Sequence, residues 1–358
     1  MRMNGYLKKE EIYTSIVSGR GIYRWDGRLT PGPLAGAQAQ PASPVITNLI
    51  TGEVFFAKRF ENSVTSISRY ARYIFNPPDR KKILWPSDLM LCPESVRNQC
   101  SLFDAQDYGV PSAPDGKKVE ISVLLFPLKG YPQMVNSEQK LRQAGDLSWK
   151  NPAVRDMAVQ LVQAVESLNR NGYVYEDFHL SRIFFQENGS AFLDFSNLMY
   201  HFGDCNLIGQ SAACSPGVHQ YPIEFAEPAF VQGKVNSLDF HSQNYSLCAL
   251  LFYLFFGRYP YDGRLLSGYL DIDTQSHGVK FQQCHKTPVF IFDPNDRQNS
   301  LGAFSNEQRI TELWADLPES LKELFVLTLS ESNATRAVWV CNPPPVTWLR
   351  RFRDEGWL

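Results

Sequence analysis

The stretch Tyr173–Ser196, YVYEDFHLSRIFFQENGSAFLDFS, decides the fold. It reads as a short strand, a polar loop, a second strand, a turn at Asn188-Gly189, a third strand, and then Asp194-Phe195-Ser196. Two carboxylates, Asp177 and Asp194, stand at strand ends inside apolar sequence, VYED and AFLDFS. Carboxylates beside hydrophobic walls are candidates for handling protons, metals or phosphates. The simpler alternatives are a turn cap at Asp177 and a surface strand end at Asp194.

The sequence on either side of this stretch is helical. Upstream, Asn151 is a good N-cap, Pro152 suits the first helical position, and Asn171-Gly172 closes the helix. Between them Val154, Met157, Ala158, Leu161, Val162, Val165 and Leu168 recur at the helical period and form one apolar face. Downstream, an irregular segment containing YPIEFAEPAF leads to Leu247–Phe256, LCALLFYLFF. That run is apolar on every side and falls short of the roughly 20 residues a bilayer span needs. It predicts a helix buried within a large domain, over Tyr245–Phe256 and ending at Gly257. Leu317–Ser330 and Val346–Arg353 add further helices.

The N-terminal part reads as mostly β. Residues 1–33 look like an extension that folds over the domain, and Pro33–Pro44 like a loop of small residues. Strands are expected at Val45–Leu49 and Glu53–Phe60, joined by a turn at Thr51-Gly52. The second places Lys58 among apolar residues, where a lysine either snorkels to the surface or reaches an anion. A helix over Glu61–Phe75 is stopped by Asn76-Pro77-Pro78. WPSDLMLC and Val119–Leu125 read as strands, separated by an insertion or long loop at residues 93–118. Phe126-Pro127-Leu128-Lys129-Gly130 reads as a linker.

Composition narrows the class. The 358 residues are 44% hydrophobic and 20% charged, which is enough apolar sequence for a sizeable core. A formal net charge of -2 gives no basic field for nucleic acid or an anionic membrane. Seven scattered cysteines without a CxxC pair suit reduced thiols and a cytoplasmic location. Neither Cys205, Cys214 and His219 nor Cys284-His285 has the paired spacing of a structural zinc site. The start, MRMNGYLKKEE, lacks the apolar region of a signal peptide.

Taken in order, these features resemble the protein kinase fold over roughly residues 34–355: Lys58 in a strand, a hinge-like linker, a long helix, the YEDFHLSRIFF loop, DFS, FAEPAF and FGRYPYDG. YIFNPPDRKKILWPSDLM, YPIEFAEPAF and GRYPYDG are similar to a bacterial group of atypical serine/threonine kinase-like domains, sometimes fused to helix-hairpin-helix DNA-binding modules. The resemblance implies an α+β, two-lobed fold. A small, mostly β N-lobe would span residues 34–128 and a larger, mostly helical C-lobe residues 129–358.

The resemblance also assigns roles. Tyr175-Glu176-Asp177 takes the place of His-Arg-Asp in the catalytic loop, and Asp194-Phe195-Ser196 that of the DFG motif. Asp177 would orient the attacking hydroxyl and take its proton, Lys58 would hold the α- and β-phosphates of ATP, and Asp194 would ligate Mg²⁺. The backbone of Phe126 and Leu128 would face the cleft and hold adenine, and Gly36 is what remains of the glycine-rich loop.

Several positions depart from the family pattern. Arg182 falls where an asparagine should ligate a second metal. A guanidinium has five donors and no acceptor, so it would contact phosphate in place of that ion and leave a single Mg²⁺, or pair with Asp177 and close the site. The predicted helix after Lys58 has no acidic residue beyond Glu61. Ala229 stands where a glutamate would pair with Arg336, and Gln243 where an aspartate normally begins the buried helix. His179 takes a position where these kinases often carry lysine, and Ser196 replaces a glycine. The resemblance is compatible with an ATP-binding protein kinase of weak Ser/Thr phosphotransfer acting on a protein substrate. The alternatives are a pseudokinase that works by binding a protein partner, and AMP transfer on the same fold. It implies neither a nucleic-acid nor a membrane partner for this domain.

Overall fold

Strand residues alternate between two faces, and in Ile12–Thr14 only the central Tyr13 is buried. The computed structural model describes residues 12–15, 17, 21–30, 43–62, 64–91, 120–128, 135–136, 147–175, 177–180, 183–185, 191–193, 199–201, 223–235, 239–267, 284–302, 305–337 and 341–358. The protein is mixed α and β and divides into two compact units, Met1–Asn136 and Ser137–Leu358.

In the first unit, strands β1 (Ile12–Thr14), β2 (Ile22–Thr30), β3 (Ser43–Asn48), β4 (Val54–Asn62), β5 (Asp88–Leu91) and β6 (Glu120–Pro127) form one sheet in the order β1-β2-β3-β4-β6-β5. Helix α1 (Val64–Phe75) lies between β4 and β5 in sequence, and a short β7 (Val135–Asn136) follows β6. Ser15 bridges to Met90, so the two outer strands meet and the sheet closes on itself. That contact covers part of the edge that would otherwise invite other strands. Tyr13, Tyr23, Ile46, Phe55, Met90 and Val123 fill the interior. Asp88 holds the seam. Its carboxylate accepts from Ser15 Oγ at 2.6 Å and from Tyr23 Oη at 2.7 Å, and the residue is 4% exposed. Burial, reinforced by the Asp88 carboxylate, pushes the Tyr23 hydroxyl far above the ordinary tyrosine range, so it remains a donor.

Several expectations are corrected here. Within the expected N-terminal extension, Ile12–Thr14 and Ile22–Thr30 are two strands of the sheet. Strand β4 runs through Asn62, so Glu61 pairs with Ile121 in the sheet and helix α1 begins only at Val64. Phe126 and Pro127 belong to β6 and not to a linker. The β3–β4 turn is as read: Asn48 Oδ1 accepts from the amides of Ile50 and Thr51, and Gly52 adopts φ 73.

The second unit is built around two helices. In α2 (Pro152–Arg170), Asn151 Oδ1 caps the amide of Ala153 at 3.0 Å, as the sequence predicts. Strands β8 (Tyr173–Tyr175), β9 (Ile183–Phe185), β10 (Ala191–Leu193) and β11 (Met199–His201) follow, with β9 paired to β10 and β8 to β11, all antiparallel. After the short α3 (Pro228–Val231) comes α4 (Phe240–Phe256), capped by Asp239 and ended by Gly257 at φ 64. Buried residues lie on every side of α4, which explains why its sequence shows no polar face. Around it lie α5 (Arg264–Ser267), α6 (Ser305–Asp316), α7 (Glu319–Leu329), α8 (Glu331–Ala334) and α9 (Pro345–Asp354). Phe252 of α4 meets Phe290, Trp314 and Phe325, and Phe292 stacks on Trp314 at 4.4 Å. Each such ring contributes about 1.5–3 kcal/mol by leaving water. Among the described residues no helix is long and apolar enough to cross a membrane.

Asp88→Ala removes the acceptor of the buried Tyr23 hydroxyl and of the partly buried Ser15 hydroxyl, and is expected to destabilise the protein by about 1–3 kcal/mol. Tyr23→Phe removes one donor from a carboxylate that keeps others, and should cost about 1–2 kcal/mol. Urea unfolding followed by tryptophan fluorescence measures both. An unchanged midpoint for Asp88→Ala would show that the carboxylate does not hold the seam.

Candidate active site

The loop after β8 carries the first of the two carboxylates, and two helices fix its entry. Tyr173, Val174 and Tyr175 are all buried. The Tyr175 amide donates to Gln243 Oε1 at 2.7 Å, and Gln243 Nε2 donates to Asn169 Oδ1 at 2.8 Å. One side chain in the first turn of α4 therefore ties the loop to the last turn of α2. Gln243 is fully buried and neutral, so its burial requires hydrogen-bond partners but no counter-charge. Beyond Tyr175, Phe178 packs edge-on against the Tyr175 ring at 5.2 Å. Between them Asp177 is 7% exposed, and its carbonyl accepts from the His179 amide at 2.8 Å. A buried carboxylate on a loop whose entry is fixed in this way is held near one position and can serve as a proton acceptor without large reorganisation.

The remaining site residues named from sequence are placed as follows. Lys58 lies on β4 with Leu124 of β6 as its cross-strand partner. Phe126 faces Phe56 in the register, the two rings stack at 5.1 Å, and Phe126 is fully buried. The Leu128 amide donates to the Val54 carbonyl at 3.0 Å. Hydrogen-bonded pairs alternate along an antiparallel ladder, so Phe126 and Phe56 form the next such pair. The amides of Phe126 and Leu128 are thus committed to β4 and are not turned outward, as the sequence reading expected. Pro127 between them has no N–H. Ile183 and Leu193, the sequence neighbours of Arg182 and Asp194, are paired across β9 and β10. Arg182, Asp194 and Gly36 themselves lie outside the described residues, as do Ser196, Cys205, Cys214, His219 and residues 93–118.

One correction concerns the glutamate expected to pair with Arg336. Ala229 is a buried residue of α3, and the acidic partner is Glu227, two residues earlier. Arg336 Nε and Nη2 grip the two Glu227 oxygens at 2.6 and 2.8 Å, while Nη1 and Nη2 reach Asp239 at 3.2 and 3.1 Å. Ser242 Oγ donates to Glu227 at 2.8 Å, and His241 Nε2 lies 3.3 Å from it. Burial alone would push the Glu227 carboxyl up, but the bonds from Arg336, His241 and Ser242 outweigh it and hold it below the usual range. Asp239 is held low in the same way, by Arg336 and the Ser242 amide against burial. Sequence reasoning missed both partners, although Glu227 in FAEPAF and Asp239 ahead of an apolar helix were visible as candidates.

The backbone at Arg336 is unusual. Its φ is 52, and it occupies the position after the α8 cap where glycine is preferred. Its amide bonds to Asn333 O and that of Ala337 to Ser332 O, the paired bonds of a Schellman motif. An arginine stands there because its side chain is needed between the two carboxylates.

No protein-family model matches the sequence, and neither does any curated protein.

Arg336→Ala leaves Glu227 buried without its cation and is expected to cost about 3–5 kcal/mol. Arg336→Gly loses the same contacts but relieves the left-handed backbone, and should recover about 1 kcal/mol of that loss. Because both carboxylates titrate lower in the folded than in the unfolded chain, the unfolded state binds more protons as acid is added. The contribution of this cluster is complete above about pH 4–4.5, where unfolded carboxyls titrate, and is lost as pH falls through the lowered folded values. Chemical unfolding between neutral and acid pH should show that loss in the wild type and a much flatter dependence in Arg336→Gly. Equal slopes would remove the cluster from the acid response.

Proposed function

We propose that the chain is an atypical, ATP-binding protein kinase-like protein of the two-lobed kinase design, with weak phosphotransfer to Ser/Thr hydroxyls of a protein substrate. The observation that carries this reading is Asp177, buried on a loop whose entry is tied by Gln243 to both α2 and α4. Two others support it. Lys58 lies on a strand followed directly by a helix, the setting of the phosphate-binding lysine in kinases, whose strand here is the third if the added β1 is set aside. Glu227 and Arg336 form the acidic–arginine pair that the resemblance requires after the activation segment.

In this reading the substrate hydroxyl oxygen attacks the γ-phosphorus, the bond to the β-bridging oxygen breaks, and ADP leaves. Asp177 holds the hydroxyl in line and takes its proton, while Lys58 steadies the α- and β-phosphates. The donor set suits one divalent ion: Asp194 is a carboxylate, whereas Arg182 is a cation that approaches phosphate oxygens directly. Bound Mg²⁺ would neutralise charge on the β- and γ-phosphates. The weakness of transfer has two stated causes. Helix α1, VTSISRYARYIF, holds no carboxylate for Lys58, and the amides of Phe126 and Leu128 are already bonded within the sheet.

The test is incubation with γ-labelled and, separately, α-labelled ATP, with ATP binding measured in parallel. Slow transfer of γ-label is expected, falling about 10²–10⁴-fold in Asp177→Asn while ATP binding persists. Transfer of α-label would make the chain a nucleotidyltransferase. Binding without any transfer would make it a pseudokinase, in line with the missing α1 carboxylate.

A further inference from the structure

Helix α1 ends in an unusual way. Tyr70 and Tyr73 are buried, but Phe75, two residues after Tyr73 and therefore on another side of the helix, is 72% exposed. It is the most exposed of the large hydrophobic residues described. The turn after it leaves little freedom to cover the ring. The Asn76 amide bonds back to Arg72 O, and Pro77 and Pro78 follow. The chain then folds back along the helix, because Trp85 Nε1 donates to Tyr73 O at 2.6 Å and the two rings pack edge-on. Cations flank this end in sequence. Arg72 lies one helical turn before Phe75, and Arg80 and Lys81 are exposed, with Lys82 partly so, on the returning segment. Six residues of chain keep Lys81 within about 22 Å of Phe75. A standard protein interface is about 30 Å across, so one partner surface spans the whole set.

We propose that this end of α1 is a docking surface for an acidic polypeptide that carries aromatic or other apolar side chains, with Phe75 as the anchor and Arg72, Arg80, Lys81 and Lys82 as the charged rim. The charge argues for the occupant. The chain as a whole is at -2, so a local cluster of four cations marks one surface and not a general field. A nucleic acid needs a continuous track of cations along its phosphates, and here Asp79, exposed within the cluster, interrupts it. An acidic peptide matches discrete charges and supplies the apolar surface that Phe75 needs. Burying one phenyl ring against such a partner is enough to make it a binding hot spot. This surface does not depend on phosphotransfer and stands or falls separately from it.

The probe is a random glutamate–tyrosine copolymer, titrated into the full chain without nucleotide, with polyglutamate and an oligothymidylate as the other arms. The copolymer is expected to bind in a salt-dependent manner and polyglutamate more weakly. Phe75→Ala and Lys81→Glu should each weaken copolymer binding about tenfold or more. Both substitutions lie at exposed positions, and thermal melting checks that each variant keeps the wild-type fold. Absence of copolymer binding overturns the proposal, as does binding indifferent to Phe75→Ala. Oligothymidylate bound as tightly as the copolymer, and equally dependent on Phe75, would make the surface a nucleic-acid site and overturn it as well.

Discussion

Arg336 between Glu227 and Asp239 is the interaction on which the second unit depends. One guanidinium satisfies a fully buried carboxylate and a half-exposed one, and so fixes the start of α3, the first turn of α4 and the loop after α8 together. Removing the cation would leave the fully buried Glu227 carboxylate without its counter-charge, which is why such pairs are costly to break even where their net contribution is modest. The same first turn of α4 carries Gln243, which anchors the Asp177 loop. Whatever disturbs the position of α4 therefore reaches the candidate catalytic carboxylate through a single helical turn.

The two devices differ in kind. The Glu227–Arg336–Asp239 cluster is ionic and has a particular pH range. The Tyr175–Gln243–Asn169 chain is neutral and has none. An aspartate at position 243 would need its own cation once buried this deeply, whereas an amide needs only the donor and acceptor it already has.

Much of this was legible in the sequence, for reasons that follow from the residues. Asn151-Pro152 and Asn171-Gly172 bracket α2 because capping is local chemistry, written in neighbouring positions. Helix α4 was legible because a run buried on all sides must be apolar on all sides. Strand β2 was not. It lies in the stretch read as an extension, and its register shifts between Trp25 and Leu29, with Gly27 at φ 90. The inward pair Tyr23 and Trp25 was the available signal. Glu227 was missed as the partner of Arg336 because the two lie 109 positions apart in sequence, and only the geometry shows which carboxylate reaches the guanidinium. The commitment of the Leu128 amide to Val54 is a matter of ladder register, which no local pattern encodes.

The closed sheet of the first unit also sets the order in which it is completed. Strand β1 leaves the ribosome first, yet its seam partner β5 appears more than seventy residues later, with Ser15 and Asp88 separated by 73 positions. Strand β6, which lies between β4 and β5, comes later still. None of the interior is sealed until residue 127 is available, so Tyr13, Tyr23 and Phe55 stay unshielded through a long interval of synthesis. A topology of such distant pairings folds slowly and is exposed to misassociation meanwhile. The unit gains a covered seam between its outer strands and in exchange must be finished late.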